Sequence, residues 1–279
     1  MAYQELAVAS DGLAARLTGP WVHDKNFYVE RFLSIFSRGV ARKWAGKLSY
    51  VDLFAGPGRS VIRGSQEEIE GSPVLALKVN FARYVFVDVP DVLSALSSRL
   101  ANHPKLPEIS FIEGNCNERI DVILKALPAN HLTLAFIDPT GLQIHFNTIK
   151  RLVHKRKVDL LMTIQFGMGI RMNLPLYAKT EGRGLSAFLG NSEWQKDVRA
   201  GGSISQVGRR ILDRYVAQLR GLNYRTVEDR EIYIRSDQNN LLLYLMVLAS
   251  RHRLGEKFWR EATKILPSGQ RRLGLSIQE

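Results

Sequence analysis

Short apolar runs alternate with amphipathic stretches along most of this 279-residue chain, and no other feature constrains its fold as strongly. Stretches with helical spacing of apolar residues separate the runs. We therefore predict an α/β fold with a doubly wound, mostly parallel, Rossmann-like sheet, in which ligands bind beyond the carboxyl ends of the strands. Five runs have the length and composition of strands buried on both faces, at residues 48–54, 84–88, 109–113, 132–138 and 158–166.

The segments on either side of these strands are predicted to elaborate a single domain. Residues 1–47 form a lead-in with a helix over 24–44, and residues 48–166 contain the five strands. Residues 167–205 interrupt the alternation and are expected to be an irregular insertion of the kind that recognises a target, or a small inserted subdomain. Residues 206–279 complete the sheet. Their patterns predict a helix over 206–219, a hairpin of 224–227 with 231–235, a strand over 241–249 and a helix over 256–265.

Charge is distributed unevenly along the chain. It carries 39 Lys and Arg against 27 Asp and Glu, a formal net charge of +12. Residues 1–140 contain 15 of each sign, so the whole excess lies in residues 141–279. An excess of this size favours a polyanionic partner such as nucleic acid over a merely solvated surface.

Cysteine content and hydropathy limit the compartment and the cofactors. Cys116 is the single cysteine, which excludes a disulfide framework and a multi-cysteine zinc site, and the histidines have no metal-ligand spacing. The longest apolar run, 241–249, is about half the length of a membrane span, and no secretory signal precedes the first helix. We therefore expect a cytoplasmic protein with neither a membrane nor a metal partner.

The strongest local motif lies at the end of the first predicted strand, Asp52-Leu53-Phe54-Ala55-Gly56-Pro57-Gly58. Glycines at such a turn let the backbone approach a ligand closely, and a carboxylate can accept a hydrogen bond from an ammonium group. The motif is neither a dinucleotide fingerprint nor a phosphate loop. It suits a zwitterionic ligand better than a pyrophosphate. Gly71-Ser72-Pro73 then predicts a helix start with Ser72 as N-cap.

Three residues follow the next two predicted strands. Asp88 can bind both hydroxyls of a ribose, or can bond the following turn as an ordinary strand-end Asp. Asn115 is placed to read an adenine edge, or is simply a turn residue after Gly114. The adjacent Cys116 is better explained as a small buried residue beside the cofactor than as a nucleophile, because no His pairs with it in the sequence.

The fourth predicted strand ends in Asp138-Pro139-Thr140-Gly141. Proline stiffens this turn and is expected to leave carbonyl groups free to accept from an amine. Asp138 is predicted to be catalytic, by orienting an amine or taking its proton, which suits transfer to nitrogen. The alternative is a structural Asp that caps the turn.

Asp52–Gly58 together with Asp88, Asn115 and Asp138-Pro139 resembles the class I S-adenosylmethionine-dependent methyltransferases. More specifically, five stretches spread over nearly the whole chain resemble the three-Cys-motif partner proteins of bacteria and phages. These stretches are Trp21 to Lys25, YVDLFAGPGR at 50–59, GSPVLAL at 71–77, FIDPTGLQIHF at 136–146 and LLLYLMVLASRHRLGEKFW at 241–259.

The resemblance implies S-adenosylmethionine as cofactor and, from the family name, a partner protein with three clustered cysteines that resembles radical-cofactor proteins. The turn at Asp138 lacks the Pro-aromatic ending of base amino-methyltransferases, which argues against a flipped DNA base as acceptor. By resemblance, the methionine part of the cofactor is assigned to Asp52, Gly56 and Gly58, the ribose to Asp88, the adenine to Asn115 and the methyl-accepting side to Asp138. Phe54 and Cys116 are predicted to be further cofactor-binding residues, and Pro139 to be catalytic together with Asp138.

The predicted function is methyl transfer from S-adenosylmethionine to a nucleic acid or a nucleic-acid-associated substrate. Trp21 and Lys25 precede or begin the first helix and could fold over the cofactor. Two alternatives stay open: a non-catalytic cofactor-binding subunit of a neighbouring three-Cys-motif protein, and a protein or peptide methyltransferase. Four cations of the insertion are predicted to bind substrate, namely Arg171, Lys179, Arg183 and Arg199.

Overall fold

Two β-sheets and the helices around them make up the computed structural model, which describes residues 5–180, 182–226, 232–236 and 240–272. The strands are β1 (Leu6–Val8), β2 (Ala14–Thr18), β3 (Leu48–Asp52), β4 (Arg59–Ile62), β5 (Glu68–Glu70), β6 (Arg83–Asp88), β7 (Ile109–Glu113), β8 (Leu132–Ile137), β9 (Lys157–Ile164), β10 (Arg225–Thr226), β11 (Ile232–Arg235) and β12 (Leu242–Ser250). The α-helices are α1 (Val22–Trp44), α2 (Ser72–Leu77), α3 (Pro90–Arg99), α4 (Ile120–Ala126), α5 (Phe146–Val153), α6 (Leu174–Lys179), α7 (Arg183–Leu189), α8 (Trp194–Arg199), α9 (Ile204–Gly221) and α10 (Arg253–Ala262).

The main sheet has the strand order β7-β6-β3-β8-β9-β12, with β10 and β11 both on the outer edge of β12. Neighbours from β7 to β9 are parallel, and β12 runs antiparallel to β9. The predicted doubly wound, mostly parallel sheet is therefore confirmed. From β3 the chain builds outward through β6 to β7 and then returns to the other side of β3 at β8. The topological switch point of the sheet thus lies between β3 and β8.

Alternate residues of each central strand pack against helices on opposite faces of the sheet. Tyr50, Phe86 and Phe136 lie in a cluster with side chains of α1, α2, α3 and α10. Val51 and Val85 lie in a second cluster with side chains of α4, α5, α7 and α9. Because both faces are covered, the strands read as nearly continuous apolar runs, which is why the sequence pattern located them.

The second sheet, in the order β1-β2-β4-β5, was not predicted. The lead-in is therefore not wholly helical before 48, because β1 and β2 form an antiparallel hairpin within it. The parallel pairing of β2 with β4 joins this hairpin to the segment that follows the glycine loop. Arg99 of α3 joins the hairpin to the glycine loop, since it donates to Asp11, to the Ala14 carbonyl and to the Pro57 carbonyl.

The prediction of an irregular insertion over 167–205 is wrong. The described part of this segment folds into α6, α7 and α8, preceded by a π-helical turn over Phe166–Ile170 and a 3-10 turn over Arg171–Asn173. Trp194 is 1% exposed and donates through Nε1 to Ser186 Oγ at 2.9 Å. Helices of six or seven residues present too few turns to create a recognisable apolar period, so the sequence pattern missed them.

The predicted hairpin of 224–227 with 231–235 is also wrong in its pairing. β10 and β11 both pair with β12, through Thr226 with Ala249 and Ile232 with Met246. Residues 227–231, where the turn was expected, lie outside the described residues. The alternating pattern identified the strands but did not specify their partner, because register depends on which apolar face meets the core.

Membrane spans and metal clusters were sought within the described part of the chain. No helix there is long and apolar enough to cross a bilayer. Nor do three or more His, Cys, Asp or Glu side chains gather there as a metal site would require. Cys116 is buried and unbonded to another cysteine.

Replacing Trp259 with Ala should destabilise the fold by about 3–5 kcal/mol, because this side chain is 0% exposed and its ring meets Phe32 edge-on at 5.6 Å between centroids. The loss would open a cavity between α1 and α10. Urea unfolding followed by far-UV circular dichroism measures the change. Leu176→Ala is the control, since that side chain is 57% exposed and its removal should cost well under 1 kcal/mol.

Candidate functional site

Three carboxylates lie at the carboxyl edge of the main sheet, next to its switch point. Asp52 ends β3, Asp88 ends the neighbouring β6, and Asp138 follows β8 on the other side of β3. Their exposed fractions are 0%, 7% and 6%. The predicted convergence of strand-end acids is therefore present, and each carboxylate needs hydrogen-bond donors to compensate for its lost hydration.

Asp52 receives three hydrogen bonds. Its Oδ2 accepts from Ser72 Oγ at 2.6 Å and from Tyr50 Oη at 3.3 Å, and its Oδ1 accepts from the Phe54 amide at 3.2 Å. Burial nevertheless raises the pKa of Asp52 to about 7, with the nearby charges of Asp138 and Asp88 adding to the effect. The predicted N-cap role of Ser72 is wrong, because Gly71 occupies the N-cap position and the Ser72 hydroxyl is directed to Asp52.

Asp88 holds the glycine loop. Its Oδ2 accepts from the Gly56 amide at 2.7 Å and its Oδ1 from the Val89 amide at 2.8 Å. Burial raises the pKa of Asp88 above its ordinary value. Gly58 has a φ of +81°, and a Cβ there would lie 2.6 Å from Leu96 Cδ1, so a larger residue would both strain the backbone and clash. Asp88 therefore bonds the turn, and its binding of a ribose stays a prediction.

Asp138 is surrounded by donors. It accepts from Lys25 Nζ at 2.6 Å and from Thr163 Oγ1 at 2.6 Å, and Arg16 Nη1 lies 3.9 Å from its Oδ2. Burial alone would raise the pKa of Asp138, but Lys25 and Arg16 together with the hydrogen bonds hold it below the ordinary value. Asp138 is thus a weak base in this arrangement, which favours orientation of an amine over removal of its proton.

The prediction that the turn at Pro139 leaves its carbonyl groups free is wrong for Pro139 itself. Its carbonyl oxygen accepts from Gln165 Nε2 at 2.8 Å. Gln165 directly follows β9, so this bond ties the turn after β8 to the start of the insertion. The stiffness expected of the turn comes from this bond as well as from the proline ring.

Arg16 is a member of the site that the sequence did not indicate. It lies on β2, its side chain is 17% exposed, and its Nε and Nη2 are buried without a hydrogen-bond partner among the described residues. A single Arg in a five-residue strand forms no sequence motif that would mark it as a site residue. Lys25 was anticipated near the cofactor and lies in the first turn of α1, while Trp21 packs against Gly19 just before that helix.

These side chains enclose a small cleft beside the glycine loop. Its free volume is about 20 Å³, little more than one water molecule needs. A larger ligand therefore requires lining side chains to move, and Lys25 and Arg16 are among them. The lining includes Arg16, Lys25, Asn26, Phe54, Gly56, Gly58, Ser72 and Asp138.

Asn115 and Cys116 lie beyond the third strand of the five, as predicted, but in different surroundings. Asn115 is exposed, and its Oδ1 accepts from the Asn117 amide at 3.0 Å and from Asn117 Nδ2 at 2.9 Å. Cys116 is 2% exposed within the core, and burial raises the pKa of its thiol to about 12. The thiol therefore packs as a small apolar group, in agreement with the interpretation that it is no nucleophile.

The four cations predicted to bind substrate do not line the cleft. Arg171 lies close to the carboxyl edge of the sheet, with its guanidinium 6.0 Å from the Phe166 ring centroid. Lys179, Arg183 and Arg199 are exposed on α6, α7 and α8. The structure thus separates these four residues from the three carboxylates, and their role toward a substrate stays a prediction.

Comparison with solved structures places the fold among known ones. The Legionella pneumophila protein LPL1258, of the DUF519 family, superposes with a TM-score of 0.52 at 9% identity, over 84% of this chain and 88% of that protein. At this identity the likeness concerns the fold alone. No protein-family model and no curated protein matches the sequence.

Two methyltransferase structures superpose more loosely. The O-methyltransferase TomG from Streptomyces achromogenes, in complex with S-adenosylmethionine, gives a TM-score of 0.44 at 10% identity, over 79% of each chain. The Bacillus cereus O-methyltransferase, in complex with S-adenosylhomocysteine, gives 0.45 at 7% identity, over 79% of this chain and 80% of that one. Superpositions this loose do not bear on function.

Asp52→Asn should remove a pH dependence from folding stability. The Asp52 pKa is about 7 in the folded state and 3.8 ordinarily, so between pH 4 and 7 the unfolded chain binds fewer protons than the folded one. As the pH rises from 4 to 7, the free energy of unfolding of the wild type should therefore fall relative to that of the Asn variant, by at most about 1.4 kcal/mol per pH unit. Urea unfolding at half-unit pH steps measures the difference.

Asp11→Asn is the matched control, because hydrogen bonds from Arg99 lower the pKa of Asp11 instead. A lowered carboxyl pKa contributes stability that is fully present above the ordinary value and is lost only toward stronger acid. The difference between Asp11→Asn and wild type should therefore stay nearly constant from pH 4 to 7 and shrink below pH 4. A wild-type and Asp52→Asn difference that stays constant from pH 4 to 7 would contradict the raised pKa.

Proposed function

We propose that this protein binds S-adenosylmethionine and transfers its methyl group to a nucleic acid or a nucleic-acid-associated substrate. One observation carries the proposal: at the switch point of a doubly wound sheet, Arg16, Lys25 and the buried Asp138 line a cleft beside the glycine loop. The buried Asp52 and Asp88 lie behind this lining, where they accept from Ser72 and from the Gly56 amide. A ligand with both an ammonium and a carboxylate group matches that charge pattern. The resemblance of the sequence motifs to class I methyltransferases supports the same cofactor.

The residues of the cleft fit the amino-acid end of this cofactor. Asp52 lies directly behind the lining residue Ser72, and in the proposal its carboxylate receives the ammonium group. Arg16 offers two buried N–H groups that have no partner among the described residues, and Lys25 a second positive charge, for the carboxylate. In the proposal Asp88 binds the ribose, and Asn115 contacts the adenine with Cys116 beneath it. Phe54, Gly56 and Gly58 shape the loop around the methionine part.

Positioning is the main task left to the chain, because the bound cofactor supplies a methyl group already activated by its sulfonium. Asp138 lies across from the glycine loop and, once Lys25 turns to the ligand, presents a carboxylate that orients an acceptor amine. Thr163 and the Gln165 bond to Pro139 keep that carboxylate in place.

A nucleic acid is proposed as the acceptor because residues 141–279 carry the entire +12. Arg171 lies nearest the carboxyl edge, and Lys179, Arg183 and Arg199 are proposed to contact phosphates at a distance from the cleft. Such contacts position a polyanion without taking part in the chemistry. A three-Cys-motif protein is the partner that the sequence resemblance suggests.

A second candidate function is a cofactor-binding subunit without transfer activity. It is favoured by the Asp138 environment, in which Lys25 and Thr163 already satisfy the one carboxylate assigned to the acceptor. The two candidates share cofactor binding and differ in turnover. Cofactor binding without transfer to any cellular fraction would favour the subunit.

Asp52→Ala and Arg16→Leu should each weaken S-adenosylmethionine binding by at least tenfold, because each leaves one charge of the ligand unpaired. Isothermal titration calorimetry measures the affinity. Arg38→Leu is the matched control, since Arg38 lies exposed on α1, does not line the cleft and donates to the Ser34 carbonyl within that helix. Equal affinities for all three variants and wild type would overturn this cofactor assignment.

Wild-type affinity should also follow a bell-shaped pH profile. Asp52 must lose its proton, with a pKa of about 7, and the ligand's amino group must keep its own, with an ordinary pKa of about 8. Affinity should therefore be greatest between these values. Titrations from pH 5.5 to 9 test this, and the acid limb should disappear in Asp52→Asn.

The acceptor is tested by incubating the protein with methyl-labelled cofactor and separate cellular DNA, RNA and protein fractions. Label is expected in a nucleic acid, and label in protein alone would favour the protein methyltransferase. The triple variant Lys179→Ala/Arg183→Ala/Arg199→Ala should bind that nucleic acid less tightly and flatten its salt dependence, by up to about 3 in the log–log slope for a duplex. Arg38→Ala/Arg42→Ala/Lys47→Ala, in the neutral half, should leave the slope unchanged.

A further inference from the structure

A second cavity, of about 400 Å³, lies at the opposite edge of the main sheet from the proposed active site. Leu132 and Val158 at the amino ends of β8 and β9 form its floor, whereas the carboxylates of the active site follow the carboxyl ends of the strands. The last two turns of α1 and the first two of α10 form its walls. Its volume falls within the range of small-molecule sites, about 300–1,000 Å³.

Apolar side chains dominate the walls. Phe36, Val40 and Trp44 contribute from α1, and Leu254 and Phe258 contribute from α10. Leu254 lines the cavity and is 42% exposed, so the apolar lining is open to solvent there. The two helices pack closely at Gly39, where a Cβ would lie 2.2 Å from the Phe258 ring.

Four cations surround this apolar pocket, namely Lys43, Arg156, Lys157 and Arg251. Arg251 lies close enough to Asp159 to lower the pKa of that carboxyl, and the other described contacts of these cations are with neutral groups. Lys157 Nζ lies 4.8 Å from the Trp44 ring centroid, and Arg156 and Arg251 donate to main-chain carbonyls, including Leu127 O at 2.8 Å and Leu222 O at 3.1 Å. Such bonds position a cation but leave its charge uncompensated.

Asp159 supplies the one carboxylate among the residues that line the cavity. It is 7% exposed and bonded to Ser250 and to the Arg251 amide, and burial raises its pKa to about 6. At neutral pH it offsets at most one of the four positive charges. The mouth of the cavity therefore keeps a net positive potential over an apolar interior.

We propose that this cavity binds a small amphipathic anion, with an apolar chain or ring between α1 and α10 and its anionic group beside Lys43 and Lys157. Apolar walls account for the body of such a molecule, and the uncompensated cations account for its head. The site is separate from the carboxylate cleft and does not depend on the proposed methyl transfer.

Two probes distinguish a chain from a ring as the apolar body: dodecanoate and anilinonaphthalene sulfonate. Calorimetry with wild-type protein should give saturable binding with one molecule per chain for at least one of them. Dodecyltrimethylammonium and dodecyl maltoside, with the same chain but a positive or neutral head, should bind at least tenfold more weakly. Equal binding of all three dodecyl compounds, or no binding of either anion, would overturn the proposal.

Two variants test the location. Lys43→Glu/Lys157→Glu should weaken binding of the anionic probe at least tenfold, and Val40→Phe, which fills the pocket, should weaken it as well. Lys150→Glu/Lys196→Glu is the charge-matched control on other helices and should bind as wild type does. Thermal unfolding of each variant establishes that it is folded, and Asp52→Ala should bind the probe normally.

A second copy of the chain is the competing occupant. Light scattering across a range of protein concentrations tests it. A monomer that binds the anionic probe supports the proposal. A dimer that Lys43→Glu/Lys157→Glu dissociates would mean that the cavity is an interface between copies, and would overturn it.

Discussion

Burial of three carboxylates at one edge of the sheet is the constraint on which the surrounding structure depends. A desolvated carboxylate is tolerated only where donors replace its water, and here each acid recruits them from a different element. Ser72 on α2 serves Asp52, the Gly56 amide serves Asp88, and Lys25 on α1 serves Asp138. The placement of α1, α2 and the glycine loop against the switch point follows from these contacts as much as from apolar packing.

Among the three carboxylates, only Asp138 is paired with cations of the described residues, and the acids therefore differ in how readily they hold a proton. Asp52 has neutral donors and titrates near neutrality, so its charge responds to a ligand. Asp138 is paired with Lys25, which lowers its pKa, so it keeps its negative charge at neutral pH. Asp52 and Asp138 thus lie at neighbouring strand ends but differ in pKa, because their hydrogen-bond partners differ.

Local sequence patterns located the core of the fold because both faces of each central strand are buried. Apolar runs such as 48–54 and 132–138 are then nearly continuous, and the acids that end them stand out. The small sheet was not predicted, because β1 and β5 have three residues each and pair over long distances in the chain. Arg16 was not predicted as a site residue for the same reason, because only the long-range pairing of β2 with β4 brings it close to Asp138.

The cations of the second half illustrate a related limit of sequence patterns. Composition correctly located the excess charge but did not separate cations that bond to carbonyls from those open to a partner. Arg156 donates hydrogen bonds to the Leu124 and Leu127 carbonyls, whereas the Lys179 side chain is exposed. Both contribute to the long-range field that attracts a polyanion, and only the second kind is free to contact it.

The parallel pairing of β2 with β4 has a practical consequence for handling the protein. Arg16 on β2 lines the cleft, although β2 precedes the main sheet by some thirty residues of chain. Deleting residues 14–18 would remove Arg16 and the strand that pairs with β4. Loss of ligand binding in a preparation shortened there would therefore reflect damage to the cleft itself.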